Sequence, residues 1–285
     1  MNNLLKIEKN YTKNKIQLKK KTFILLVISF VILNFFLSFV INISSTTKKI
    51  ENSYFFTADL RSNLNEEEKN KTEIEVLSIE GVKKVRYLSK EEAFKKLQFQ
   101  LDIAIPKGEN PLSDSLLIYF DSPAKLEKIQ ENLENNQNIK EVFIDANFIA
   151  YKEREMKFYK LILVSIILGM TLPSMAMIYY IFYNAVSIEF LNNVDIIHDE
   201  RVNAARSKKV NLLPFTAASI IGTLIFFNGY IYIREQMLKI STKYLILSLG
   251  EIVLIEGLII LMINILIWVN PLKLKKLSKE ESWKG

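Results

Sequence analysis

Residues 22–43 have the sequence TFILLVISFVILNFFLSFVINI, a run of 22 residues without a charged side chain. A helix rises about 1.5 Å per residue, so about 20 apolar residues cross the roughly 30 Å hydrocarbon core of a bilayer. Three further long apolar stretches occupy residues 161–188, 212–233 and 244–269. The sequence therefore predicts an α-helical membrane protein with four transmembrane helices.

The first apolar stretch has a second interpretation as a cleaved signal peptide, because a basic segment precedes it. Its uncharged run is longer than the signal-peptide core of about 7–15 residues. The following Asn42-Ile43-Ser44-Ser45 is also a poor small-x-small cleavage site. We therefore expect an uncleaved membrane anchor.

Charge is distributed unevenly around the predicted spans. Lysines dominate the segment 1–21 before the first span and the segment 270–285 after the last, which places both tails in the cytoplasm by the positive-inside rule. Residues 44–157 carry 18 Lys and Arg against 21 Asp and Glu, a net charge of −3 in a chain of net charge +7. We expect residues 44–157 to form an extracytoplasmic domain.

Several kinds of functional site are excluded or disfavoured by composition. The chain has no cysteine, which excludes disulfides and cysteine-ligated metals, and its one histidine, His198, lies in a polar link. The phosphate-binding loop G-x-x-x-x-G-K-[S/T] is missing. The positive charge flanks spans instead of forming a patch, which argues against nucleic acid as a partner. We predict no catalytic residue, no metal site and no cofactor.

The segment between the first two spans alternates predicted strands and helices. Strands are predicted at residues 54–60, 82–88, 116–120 and 139–144. Helices are expected to begin at the caps Asn65, Ser89 and Ser122, and Gly81 is expected to end the first of them. This order predicts an α+β extracytoplasmic domain with a split βαβ, ferredoxin-like sheet and helices on one face.

An excess of apolar residues follows Ser89 within this domain. Six of them crowd into twelve positions, which is more than one face of a helix can bury: Phe94, Leu97, Phe99, Leu101, Ile103 and Ile105. They form either a second small core beneath the following loop or an exposed docking surface for a protein partner. The sequence leaves both interpretations open.

The cytoplasmic link, residues 189–211, has apolar residues at helical spacing. Phe190, Val194 and Ile197, followed by Arg201, predict an amphipathic helical segment. Such a segment either presses into a groove of a partner protein or lies on the membrane surface. Pro214 is expected to open the third span as a proline in the first helical turn, and Pro173 to mark a kink in the second span.

Two carboxylates, Glu251 and Glu256, interrupt the fourth apolar stretch. A charge in the membrane interior is costly and usually functional. The two residues lie about 140° apart around a helix, so they cannot form one site unaided. If the span begins nearer Ile252, Glu251 becomes interfacial and Glu256 lies only a turn inside, and neither then needs a role.

Two stretches of the predicted domain resemble a known family. The first is Ile79-Glu80-Gly81-Val82-Lys83-Lys84-Val85 running into Tyr87-Leu88-Ser89-Lys90-Glu91-Glu92-Ala93, and the second is Asn110-Pro111-Leu112-Ser113-Asp114-Ser115. With the four-span topology, these motifs resemble the bacterial cell-division protein FtsX, the membrane subunit of an ABC-type complex.

That resemblance implies a transmitter in the bacterial cytoplasmic (inner) membrane and no enzyme. In the FtsX family an ATPase partner, FtsE, binds on the cytoplasmic side, and the outer domain recruits or activates peptidoglycan hydrolases, directly or through an adaptor. Carried over, the docking surface falls on residues 94–111 and the ATPase-coupling segment on residues 189–211. The family's valine-glycine-alanine motif is degraded here to Val202-Asn203-Ala204.

The resemblance also implies that the chain acts as a homodimer within its complex. Two other functions stay open on the sequence. One is a transporter or lipid-extruding permease, although few polar residues lie within the spans. The other is a membrane-anchored sensor that works without an ATPase, which the degraded coupling motif keeps in consideration.

Overall fold

A computed structural model describes residues 2–101, 110–240, 246–272 and 274. It divides into two compact units, Ser45–Leu161 and the combination of Met1–Ser44 with Ile162–Gly285. The helices are α1 (Asn2–Glu51), α2 (Glu66–Leu77), α3 (Lys90–Leu101), α4 (Leu126–Glu134), α5 (Ala146–Ile166), α6 (Leu172–Asn193), α7 (Glu200–Ile240) and α8 (Leu249–Val269). The strands are β1 (Phe55–Leu60), β2 (Val82–Leu88), β3 (Ser115–Phe120) and β4 (Ile139–Phe143).

Four helical stretches in the described chain are long and apolar enough to cross a membrane. They are Ile16–Glu51, Ala146–Asn193, Glu200–Ile240 and Leu249–Val269. The first three contain the predicted runs 22–43, 161–188 and 212–233. Leu249–Val269 lies within the predicted run 244–269, of which residues 244 and 245 are outside the described residues. The chain is therefore a membrane protein with four candidate spanning helices.

Aromatic side chains fill the core of the helical unit. The ring centroids of Phe30 on α1 and Phe182 on α6 lie 5.4 and 5.0 Å from that of Phe215 on α7. At Gly222 of α7, an added Cβ would lie 2.7 Å from Cβ of Phe30 and 2.8 Å from the carbonyl oxygen of Val27. The absence of a side chain at Gly222 thus lets α1 and α7 approach closely, as small residues do between membrane helices.

The two prolines of the predicted spans occupy different helical settings. Pro173 follows a π-helical turn, Ile167–Thr171, which widens the helix between α5 and α6. Pro214 lies inside α7, so the prediction that it occupies the first helical turn is wrong. The helix begins earlier because Asp199 Oδ1 accepts the backbone N–H groups of Arg201 and Val202, at 2.8 and 3.3 Å.

The sheet of the Ser45–Leu161 unit has the strand order β2-β3-β1-β4, with every neighbouring pair antiparallel. β3 lies between β1 and β2, and β1 lies between β3 and β4, so each β-α-β unit is split by a strand of the other. Buried residues from the strands, including Phe56, Leu60 and Ile118, pack with Ile129 and Leu133 of α4. The predicted α+β domain is confirmed.

Local signals explain where α2 begins and ends. Asn65 forms a reciprocal capping box with Glu68, because the Asn65 side chain accepts the backbone N–H of Glu68 and the Glu68 carboxylate accepts the backbone N–H of Asn65. α2 ends at Leu77, so Gly81 does not end the helix as the sequence predicted. Gly81 lies in the turn before β2 with φ +100°, where a Cβ would come within 2.7 Å of Lys125 Cδ. Glycine is required there by the turn.

Candidate functional site

The predicted outer docking surface starts on α3, and its apolar residues are divided between inside and outside. Phe94 is 5% exposed, so it packs within the domain and is not an exposed anchor. Phe99 is 90% exposed, and Leu97 is half-buried. Phe94 and Phe99 differ because five residues turn a helix by about 140°, which carries the second ring away from the buried face.

The rest of the predicted outer docking surface falls largely outside the described residues. Leu101 ends α3, but its side chain is not described, and Ile103 and Ile105 lie in the undescribed segment 102–109. Whether these three residues form a docking surface stays a prediction. Phe99 is the described residue that fits a docking role.

Other exposed apolar residues of the domain were not singled out from the sequence. Ile74 and Leu77 on α2 are 68% and 48% exposed, and Phe143 on β4 is 48% exposed. The i, i+3 spacing of Ile74 and Leu77 was an available signal, because residues three apart are neighbours on a helix surface.

The two stretches that resemble FtsX meet at Asp114. Its carboxylate lies 2.8 Å from Lys69 Nζ and accepts the backbone N–H of Lys90 at 2.9 Å, while Lys69 also lies 3.3 Å from the hydroxyl of Tyr87. The Asp114 cluster, which we define as these four residues, thus links α2, β2, the start of α3 and the start of β3. It is a structural junction, and nothing about it requires catalysis.

The ionisation of Asp114 reflects this junction. Burial by itself acts to raise its pKa, but hydrogen bonds from Lys69, the Lys90 backbone and Tyr87 outweigh burial and hold the pKa below its ordinary value of 3.8. The pKa of Lys69 is raised, chiefly by its hydrogen bond to Asp114. Both groups are therefore charged around neutral pH.

The predicted coupling segment is not one amphipathic helix. α6 ends at Asn193 and α7 begins at Glu200, so Phe190, Val194, Ile197 and Arg201 lie on two helices and the turn between them. The backbone N–H groups of Ile196 and Ile197 both donate to the carbonyl oxygen of Asn193, which closes the turn. The sequence prediction was wrong here because cap and turn geometry interrupts the apolar spacing.

Burial also separates the predicted coupling residues. Phe190 is 2% exposed, Val194 and Ile197 are half-buried, and Arg201 is exposed. The exposed apolar residues of the link are instead Leu191, Ile196 and Val202, at 64%, 76% and 55% exposure. A groove of about 290 Å³ opens in the link between Phe190, Val194, Asp195, Ile197, His198, Glu200 and Asn203.

Asn203 holds the link together. Its side chain is 1% exposed, and Nδ2 donates to the carbonyl oxygen of Phe190 at 3.0 Å, near the end of α6. Ser207 donates its hydroxyl to Oδ1 of Asn203 at 3.2 Å. The asparagine at the position of the family motif's glycine thus makes contacts that glycine cannot make.

Lys208 is a second buried polar residue that the sequence analysis missed. Its Nζ donates to the carbonyl oxygens of Trp268 and Asn270, at 2.8 and 2.6 Å. These carbonyls lie at the carboxyl end of α8, where cations stabilise a helix terminus. The contacts tie α7 to α8.

The two membrane carboxylates have different surroundings. Glu251 forms a capping box with Ser248, whose backbone N–H it accepts at 2.8 Å, so it lies in the first turn of α8. Its interfacial position stays a prediction. Glu256 is fully buried, and neither of its carboxyl oxygens has a hydrogen-bond partner within the described chain. In that part of the chain, no group of three or more His, Asp or Glu residues could hold a metal ion.

Comparisons with known proteins concern the sheet domain. Two solved structures from Streptococcus pneumoniae are similar: a crystal structure of extracellular domain 1 of FtsX in complex with undecyl-maltoside, and a solution structure of the large extracellular loop of FtsX. They are 22% and 21% identical, cover 33% and 31% of this chain and 96% of their own, and have TM-scores of 0.29 and 0.28.

A comparison with curated protein sequences gives no match. The family model that matches is that of the FtsX extracellular domain, over residues 49–150. This range contains all four strands, the Asp114 cluster and the described part of the predicted docking lobe. Residues 49–150 of this membrane protein are therefore similar to the FtsX extracellular domain.

Proposed function

We propose that the chain is the non-catalytic transmembrane subunit of an ABC-type cell-division complex. An FtsX extracellular domain indicates a cell-division, ABC permease-like membrane subunit. In the proposal, a cytoplasmic FtsE-like ATPase hydrolyses ATP, and the chain transmits the resulting movement to a peptidoglycan hydrolase, or its adaptor, outside the membrane. The split sheet order also supports classing the outer domain as ferredoxin-like.

The observation that carries this proposal is a continuous helical connection. From Ala146 to Asn193 the chain is helical throughout, with one π-helical turn and no loop. Its first turns belong to the sheet domain, because Ile149 is buried in the core and Met156 lies 3.7 Å from the hydroxyl of Tyr54. A regular secondary-structure element is suited to carry coupling between distant sites.

The other end of this helical connection supports an ATPase-binding role for the link. α6 passes directly into the link, where Leu191, Ile196 and Val202 expose apolar surface. The hydrogen bond from Asn203 to Phe190 fixes the ends of α6 and α7 relative to each other. A partner that binds this surface would therefore contact two helix ends whose relative position is fixed.

Co-purification tests the ATPase part of the proposal. Affinity-tagged full-length chain, extracted from membranes, should bring an ATP-binding subunit with it. Ile196→Asp should remove that subunit, because a charge at the centre of an apolar contact is costly to desolvate. Ile74→Asp is the matched control, since Ile74 is comparably exposed but lies in the outer domain. Retention of the subunit by both variants would remove the link from the interface.

The same proposal places the chain in the inner membrane with both termini on the cytoplasmic side. It also includes that the chain acts as a homodimer. The cysteine-free chain permits single-cysteine labelling. A membrane-impermeant thiol reagent should label Lys128→Cys in intact cells, after outer-membrane permeabilisation where needed, but not Lys13→Cys. The reverse pattern would invert the topology.

A further inference from the structure

The helical unit contains a cavity of about 540 Å³ between α1, α6 and α7. Its inner wall is apolar and includes Phe23, Leu26, Phe182, Ala185 and Ala217. Cavities of about 300–1,000 Å³ hold small organic ligands in proteins. From Lys19 at the mouth to Leu26, the wall follows α1 for about 10 Å, at 1.5 Å per residue. The cavity therefore suits a chain-like apolar group.

The mouth of the cavity is polar and adjoins a positively charged segment of α1. Lys19 Nζ lies 3.1 Å from the carboxylate of Glu189, which holds the ammonium group at the rim while the Lys19 side chain remains 49% exposed. Lys20 and Lys21 follow on α1 and are exposed. Asn192 and Asn211 add amide groups to the lining. Lys19 is paired with Glu189, so the net positive charge that attracts an anion to this end of α1 comes from Lys20 and Lys21, which lie beside the cavity and outside its lining.

We propose that this cavity binds an anionic phospholipid, with an acyl chain between α1, α6 and α7 and the phosphate at the Lys19 mouth. The polar rim followed by the apolar wall matches the headgroup and acyl chain of such a lipid. Basic pockets between membrane helices at the cytoplasmic surface favour anionic lipid headgroups. A zwitterionic headgroup carries its own cation, so the lysines attract it less.

The charge at the mouth argues against a second copy of the chain as the occupant. A two-fold dimer brings the same surface patch of both subunits together. Two copies meeting here would place two Lys19-Lys20-Lys21 segments against each other, and like charges at close range repel. An anionic lipid neutralises the same segment. The inference concerns the helical unit alone and does not depend on an ATPase or hydrolase partner.

Competition between two lipids tests the proposal on the full-length protein. The purified chain is reconstituted in nanodiscs that contain equal amounts of phosphatidylglycerol and phosphatidylcholine with the same acyl chains. It is then released into detergent, and the retained lipid is identified by native mass spectrometry. We expect retained phosphatidylglycerol to exceed phosphatidylcholine by about tenfold, which corresponds to about 1.4 kcal/mol. Equal retention of the two lipids would overturn the anionic headgroup.

Two cavity-filling variants locate the lipid. Ala185→Phe on α6 and Ala217→Phe on α7 each place a ring in the cavity, and each should lower phosphatidylglycerol retention about tenfold, through lost space. Ala176→Phe is the matched control, because Ala176 is exposed on α6 and nine residues from Ala185, on the opposite side of the helix. It should retain lipid as the unchanged chain does.

Further outcomes distinguish other occupants. Undiminished phosphatidylglycerol in both filling variants would place the lipid elsewhere and overturn the proposal. Unchanged lipid with loss of a dimer on size-exclusion chromatography would assign the cavity to a second copy. Changing Lys19, Lys20 and Lys21 together to Gln should abolish the preference for phosphatidylglycerol, and this variant leaves the apolar wall intact if a filling variant fails to fold.

Discussion

Two segments predicted to bind partners, α3 of the sheet domain and the link between α6 and α7, divide their apolar residues in different ways. On α3 the division lies within one helix, since Phe94 is 5% and Phe99 90% exposed. In the link the predicted Phe190 is 2% exposed, while the neighbouring Ile196 in the turn is 76% exposed. An excess of apolar residues thus predicts that some of them are exposed. The direction in which each side chain leaves the helix, and where the helix ends, decide which residues these are.

The largest expected effect separates Phe94 from Phe99. In a purified fragment of residues 44–157, Phe94→Ser should cost about 3–5 kcal/mol, because it empties a buried site, and a small domain has little stability in reserve. Phe99→Ser should change stability by about 0.5 kcal/mol or less, because Phe99 is exposed. Thermal unfolding of the two variants makes the comparison.

Binding measurements on the same fragments sharpen that result. Phe99→Ser should abolish binding of the hydrolase or adaptor while the domain stays folded, because a few apolar anchors dominate most interfaces. The charge-neutral exposed substitution Ile74→Ser serves as the control on α2. If Phe99→Ser unfolds the domain, Phe99 belongs to a core and the docking claim for it fails.

The next effect concerns acid stability of the sheet domain. Because the folded state holds the pKa of Asp114 below 3.8, its contribution is complete above that value and is lost as the pH falls through the folded pKa. The raised pKa of Lys69 leaves its contribution intact until strongly alkaline pH. The Asp114 cluster should therefore stabilise the domain across neutral pH.

Asp114→Asn should lower stability by about 2 kcal/mol at pH 7, the scale of hydrogen bonds to a charged group. The loss should shrink as the pH falls below about 3.8, because the unchanged domain then loses the same interaction. Thermal unfolding from pH 7 to pH 2 checks this, with Glu127→Gln as an exposed control on α4. A pH-independent difference would show that shape, and not charge, accounts for the effect.

Much of the fold was predictable because it depends on local pattern. Apolar run length identified the four candidate spans, and strand alternation with capping residues identified the four strands. Gly81 was predicted to end α2, but it lies in a turn with φ +100° and in close contact with Lys125. That contact is distant in sequence, so no local pattern reports it.

The link was predicted less well because polar residues act there through tertiary contacts. An asparagine within a polar helical segment is expected to be exposed to solvent. Asn203 is instead buried and donates to the carbonyl oxygen of Phe190, thirteen residues earlier. Lys208 is expected, from its sequence position, to be a cation that flanks the third span. It instead donates to the carbonyl oxygen of Trp268 at the end of α8, sixty residues away. Only the arrangement of helices brings these partners together.

An effect of similar size is expected when Asn203 is replaced by the glycine of the FtsX motif. Asn203→Ala removes the hydrogen bonds to Phe190 and Ser207 and should cost about 1–3 kcal/mol, since buried partners lose their contacts. Asn203→Gly should cost about 1 kcal/mol more, because Gly disfavours a helix interior. Thermal unfolding of the full-length chain in detergent measures both. A Gly variant as stable as the unchanged chain would remove Asn203 from the account of the link.

The last comparison concerns the two membrane carboxylates, where the smallest single effect is expected. Glu251→Ala removes a capping-box contact with Ser248 and should cost about 1 kcal/mol, the usual scale for a cap. Glu256→Gln keeps the shape of a fully buried side chain whose two oxygens have no partner within the described residues, and replaces an ionisable group by a neutral one. Because no hydrogen bond in the described chain is lost, we expect a change of about 0.5 kcal/mol or less.

Glu256→Ala is the variant that makes this last expectation decisive. It opens a cavity at a site with no exposed surface and should cost about 2–5 kcal/mol, as large-to-small changes in cores do. Glu256 then matters for packing alone if Gln is tolerated and Ala is not. If Gln is as damaging as Ala in detergent unfolding, the carboxyl group itself is required, and an unseen partner such as a second copy or a bound cation must contact it within the membrane.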